Sequence, residues 1–149
     1  MSKIVKFIFR KDWLKPILIL VSVHSFAIGS GLIFMPGKLM PFWGLTVPAE
    51  NFFQIQGGIL HYILAIAYFM AATGYNRYQG LLILAIITKF LATLFLFSFY
   101  LFVERAWIIL VSGIIDYLMG LTILWGFLHF HWNMNDIDID FPVSGIVAD

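Results

Sequence analysis

Four long apolar runs, separated by short stretches rich in polar residues, glycine or proline, set the pattern of this chain. They cover about Leu14 to Phe34, Phe52 to Gly74, Gly80 to Phe102 and Ala106 to Phe130. Each matches the roughly 20 residues that a helix needs to cross a hydrocarbon core about 30 Å thick. The pattern therefore predicts an all-α integral membrane protein, an antiparallel four-helix bundle whose successive spans alternate in direction.

Inside each run the small and polar residues recur at helical spacing, which assigns faces. Ser22, Ser25 and Gly29 follow at i, i+3 and i+7 in the first run, with His24 beside them. In the second, Gln54, Gly58, His61, Ala65, Tyr68 and Ala72 share one face, leaving Ile55, Ile59, Leu60, Ile63 and Ile66 for lipid. The third predicts an inward stripe of Ala85, Lys89, Ala92 and Leu96; the fourth sets Gly113, Asp116 and Gly120 together, with Tyr117 adjacent. Small residues let helices approach closely where no hydrophobic force drives them together, so these faces are predicted to look into the bundle.

The connections read as two tight turns and one longer segment. Gly74-Tyr75-Asn76-Arg77-Tyr78 and Glu104-Arg105 mark the turns. Met35 to Asn51 contains Pro36, Gly37, Pro41, Gly44 and Pro48, yet Leu39, Met40, Phe42, Trp43 and Leu45 are too apolar for free solvent. A loop or short helix lying in the membrane interface and anchored by Trp43 satisfies both facts.

At the start, Lys3, Lys6, Arg10, Lys11 and Lys15 alternate with aliphatic and aromatic residues, as in an interfacial helix meeting anionic headgroups. The apolar run after it continues through Gly31-Leu32-Ile33-Phe34, which points to a span rather than a cleaved leader. From Trp132 onward Asn133, Asn135, Asp136, Asp138 and Asp140 end the apolar pattern, and an acidic flexible tail is expected over 132–149 after a bundle over 1–131.

Composition narrows the function classes. The chain is 62% hydrophobic and 11% charged, against about 25% charged residues in soluble domains. Without cysteine there is no disulfide, thiolate or iron–sulfur chemistry. No glycine-rich phosphate loop, HExxH-type metal motif or serine elbow is present, and the basic start suits lipid headgroups rather than nucleic acid. Lys3, Lys6, Arg10, Lys11, Lys15 and Arg77 lie at one side of the spans and Lys38 and Arg105 at the other. The positive-inside rule then puts both termini in the cytoplasm.

All four spans bring an ionisable group to nearly the same level. Counting about 1.5 Å per residue from the basic end, His24, His61, Lys89 and Asp116 all fall about 14 to 20 Å deep, close to the midplane. Groups at that depth are expected to face the bundle interior and to pair with one another. Lys89 and Asp116 are the natural ion pair. They would either fix which helix faces meet, or, with His24, Gln54, His61, Tyr68 and Tyr117, line a site for the polar head of a small lipid-like ligand. Axial ligation of a haem by His24 and His61 is a further arrangement that helix bundles host. His129 and His131, beside Trp132, fit the aromatic interface better than a metal site.

The order Gly29-Ser30-Gly31-Leu32-Ile33-Phe34-Met35-Pro36, then Phe42-Trp43-Gly44-Leu45, Gln56-Gly57-Gly58, and Gly113 with Asp116 resembles the small bacterial four-span proteins of the broad DoxX-like group, over about Leu14 to Leu128. The resemblance implies a bacterial inner-membrane protein associated with quinone-linked or redox partner systems. It supplies no catalytic residue. The expected function is a non-enzymatic membrane subunit or binder of a small lipid-like ligand, alone, as a homo-oligomer or in a membrane complex, with no resident cofactor. A membrane redox or lipid-modifying enzyme using the His24, His61, Lys89 and Asp116 layer with a quinone, lipid or haem is the alternative.

Overall fold

The computed structural model describes residues 13–74 and 77–134, with side chains to His129. Four long helices follow one another: α1 (Leu14–Phe34), α2 (Phe52–Thr73), α3 (Gln79–Phe102) and α4 (Trp107–Met134). All four are long and apolar enough to cross a membrane. The protein is an all-α, multi-pass membrane bundle. The expected interfacial segment before residue 13 and the acidic tail beyond residue 134 lie outside the described residues.

Two helical hairpins make up the bundle. α1 packs extensively on α2, and α3 on α4, whereas α2 meets α3 and α1 meets α4 over much shorter stretches. In the first hairpin Gly29 and Gly58 bring the two backbones together: a Cβ on Gly29 would stand 2.8 Å from the carbonyl oxygen of Gly58, and one on Gly58 would stand 2.8 Å from that of Gly29. Ser22 and Ser25 sit on the same buried stripe, as their spacing predicts. Ser22 Oγ donates to the Ala65 carbonyl at 2.7 Å, so a hydroxyl in lipid is satisfied by the neighbouring helix. On the opposite face of α2 Ile55, Ile59, Leu60, Ile63 and Ile66 are all exposed, the lipid side assigned from periodicity.

Two details differ from the periodic reading. The stripe that α3 buries is Leu82, Ala85, Lys89 and Thr93, not Ala85, Lys89, Ala92 and Leu96. Thr93 enters it because its Oγ donates to the Lys89 carbonyl at 2.8 Å, which satisfies the hydroxyl inside its own helix. α4 runs on to Met134, past the expected boundary at Trp132, because falling hydropathy is not a helix stop and no Gly or Pro stands there.

The segment between α1 and α2 forms a 3₁₀ helix, Gly37–Trp43, with Met40 buried. It closes at Gly44, whose φ of 76° is a left-handed conformation that favours glycine. The segment docks onto the turn between α3 and α4. The Thr46 backbone N–H donates to Glu104 Oε1 at 2.8 Å, the Trp107 indole N–H donates to the Phe42 carbonyl at 3.4 Å, and the Trp43 and Trp107 rings lie 5.4 Å apart. The two hairpins are thereby tied at this end of the molecule.

The shared apolar core occupies only one end of the bundle. Leu14, Leu18, Val21, Tyr68, Ala71, Ala72, Leu82, Ala85 and Ile123 form it. Every one of them lies on the side of the His24, His61, Lys89 and Asp116 positions toward Lys15 and Arg77. Beyond those positions, toward Lys38 and Glu104, the buried residues Gly29, Gly58, Thr93, Gly113, Ala106, Ile109 and Met40 fall outside that cluster.

Candidate functional site: the polar layer between the hairpins

Each hairpin brings its own polar pair to the layer. In the second, Lys89 Nζ donates to Asp116 Oδ1 at 2.5 Å. Lys89 is 3% and Asp116 6% exposed, so both charges are withdrawn from lipid as their cost requires. The helices fit around the pair: the Lys89 stem lies against α4 at Gly120, where an added Cβ would come within 3.3 Å of it. In the first hairpin, the half-buried His61 has its Nδ1 3.2 Å from Ser25 Oγ, and that hydroxyl also lies 3.1 Å from the His61 carbonyl.

Three contacts cross from one hairpin to the other here. Tyr68 OH and Thr88 Oγ are hydrogen-bonded at 2.9 Å, and Thr88 is itself anchored by donation to the Leu84 carbonyl at 2.8 Å. The Tyr68 hydroxyl is therefore the donor to Thr88 when the threonine proton goes to its own helix. Lys89 Nζ stands 5.8 Å from the centre of the Tyr68 ring, within cation–π range. His24 Nε2 faces Asp116 Oδ1, the same oxygen that Lys89 holds, from 3.9 Å. That distance is an electrostatic contact, beyond hydrogen-bonding range.

The structure brings together His24, His61, Tyr68, Lys89 and Asp116 and leaves two candidates elsewhere. Gln54, two turns from His61, donates to the Leu32 carbonyl at 2.7 Å and so closes the far end of α1 against α2. Tyr117 is 42% exposed and packs edge-on against Phe90, with ring centres 6.2 Å apart. Its side chain points away from the layer because the residue after an inward Asp116 is rotated by about 100° on the helix. Ser25 and Thr88 join the layer unpredicted as polar partners. The position of Thr88 next to Lys89 is a signal for it in the sequence; the spacing of Ser25 marks it only as a member of the small-residue stripe.

Hydrogen-bond capacity is unevenly spent. Among the described residues no fully enclosed side-chain nitrogen or oxygen lacks a partner. His24, by contrast, makes no hydrogen bond to any described residue and its side chain keeps 22% of its surface open. No group of three or more His, Asp or Glu side chains is placed to hold a metal ion among the described residues. A shallow groove of about 390 Å³ along Phe52, Ile55, Gln56, Ile59 and Leu60 lies on the outer face of α2, away from the layer.

No family model, curated protein or solved structure matches this chain. The chemistry of the layer is therefore the basis for a function.

Proposed function

We propose that this protein is a non-enzymatic membrane subunit that holds the polar head of a small lipid-like molecule at the seam between its two hairpins, against His24. The observation that supports this is the imidazole of His24, partly open and without a hydrogen bond to a described residue at midspan. A polar group at that depth has no water to turn to, and leaving it unsatisfied costs on the order of several kcal/mol. A ligand head reaching the ring removes that cost. The apolar core lies on the Lys15 side of the layer.

Native mass spectrometry of the full chain extracted gently with its lipids tests the reading. The expected result is a stoichiometric amphiphile retained by the natural protein and lost from His24→Leu, with both proteins equally folded by circular dichroism. A bare chain under all gentle conditions, or equal retention by the variant, would contradict it.

We take the end bearing Lys15 and Arg77 as cytoplasmic under the positive-inside rule, in a bacterial inner membrane as the DoxX-like resemblance suggests. The absence of cysteine makes this directly measurable. In intact cells, Glu50→Cys should react with a membrane-impermeant maleimide, and Arg77→Cys should react only after permeabilisation. The reverse pattern would invert the topology.

A further inference from the structure

Taking His24 as the group that meets a ligand head, we infer that the head is a carboxylic acid, so that the natural ligand is a fatty-acid-like amphiphile. Three side chains that can carry positive charge, His24, His61 and Lys89, each on a different helix, share the layer with one carboxylate, Asp116, which Lys89 and His24 face directly. Lys89 already takes Oδ1 of that carboxylate. His61 has its Nδ1 directed at Ser25 Oγ and its backbone carbonyl at the same hydroxyl. His24 is the basic group of the layer with no hydrogen bond to a described residue, 3.9 Å from an oxygen that is already held.

Charge balance then selects the ligand class. With His24 neutral, Lys89 and Asp116 cancel. Protonation of His24 from solvent would leave one uncompensated positive charge at midspan, beside the Lys89 ammonium, and charges there must be paired. An un-ionised carboxylic acid brings proton and counter-ion together. It enters neutral, its O–H bond breaks, the proton passes to the open imidazole nitrogen, and the bond's electron pair stays on the carboxylate. The layer then holds two ion pairs, imidazolium with ligand carboxylate and Lys89 with Asp116, and its net charge is unchanged. An alcohol, ester or ketone head would meet the imidazole by one hydrogen bond alone. A charge-assisted pair is roughly twice as strong.

The test uses the full chain in lipid nanodiscs and oleic acid labelled with ¹³C at the carboxyl carbon. Bound oleate should show a carboxylate shift at a pH where free oleic acid in the same nanodiscs is protonated. It should be displaced at least tenfold more readily by unlabelled oleic acid than by oleyl alcohol or methyl oleate. His24→Gln keeps a hydrogen-bonding side chain of similar reach but cannot take the proton. It should lose the carboxylate signal and the preference for the acid while still binding the alcohol. Equal competition by acid and alcohol would overturn the acid assignment while leaving ligand binding at His24 intact. Stronger competition by a lysophosphatidic acid would overturn it in favour of a phosphate head. Binding of no amphiphile at all would remove both this inference and the function it rests on.

Discussion

Lys89→Met should destabilise the protein by about 3 to 5 kcal/mol, whereas Lys89→Met combined with Asp116→Leu should recover most of that loss. The single change leaves Asp116, 6% exposed, without the ammonium that its Oδ1 accepts from, in surroundings where water cannot replace it. The double change removes both charges and fills the space with apolar atoms, against which a buried pair of opposite charges has little net advantage. Equilibrium unfolding in a mild detergent, followed by circular dichroism, reads the difference as a double-mutant cycle. Equal losses in the single and double variants would mean that the two side chains do not act as a pair. His24→Leu separates holding the fold from binding a ligand: it removes an imidazole left unsatisfied once the lipid is stripped, so it should cost no stability in detergent while it loses the bound amphiphile.

The second large effect concerns the contact that builds the first hairpin. Gly29→Ala should destabilise by about 1 to 3 kcal/mol, because its Cβ would stand 2.8 Å from the backbone oxygen of Gly58 and 2.9 Å from Tyr62. A backbone oxygen cannot rotate away as a side chain can, so α1 and α2 must separate. Separation stretches the bonds from Ser22 to the Ala65 carbonyl and between Ser25 and His61, so the cost should exceed that of one overpacked methyl. Gly31→Ala, two residues on and with nothing within 4 Å of the added carbon, is the control. It should stabilise by up to about 1 kcal/mol through helix propensity. Thermal unfolding of the two variants side by side decides the matter. Matching behaviour would show that the Gly29 and Gly58 backbones are not in tight contact.

Much of this architecture is legible in the residues themselves. Span length and hydropathy define the four helices to within a few residues, because the membrane imposes a length and tolerates few alternatives to a helix. Spacing also assigns the buried faces of α1 and α4 and the lipid face of α2, where small or β-branched residues mark the sides clearly. Lys89 and Asp116 could be paired from sequence because each is the sole charge within its span at matching depth. Depth alone, however, does not fix rotation, and so Tyr117 and Gln54 fell outside the layer while Thr88 and Thr93 entered the interior.

The division into two hairpins was not legible. It depends on which side chains interlock, above all at Gly29 and Gly58, and on the docking of Thr46 and Trp43 against Glu104 and Trp107 across 58 and 64 residues of chain. The open valence of His24 was equally hidden, since sequence shows that a histidine is present but not whether its ring finds a donor or acceptor. In physical terms, local pattern sets what must be buried, and only tertiary packing decides which buried groups are left with something to bind.

The claim that His24 completes its hydrogen bonding with a lipid-like molecule is tested most directly by nitrogen NMR of the imidazole itself. The chain has four histidines, so selective ¹⁵N labelling gives few signals, and the pair lost in His24→Gln identifies the ring in question. Spectra of the protein with its co-purified lipids and after exhaustive exchange into detergent should differ at His24, with both ring nitrogens moving as the bound head is removed, while His61, bonded to Ser25, stays in place. His24 signals that do not change between the two states would contradict the account.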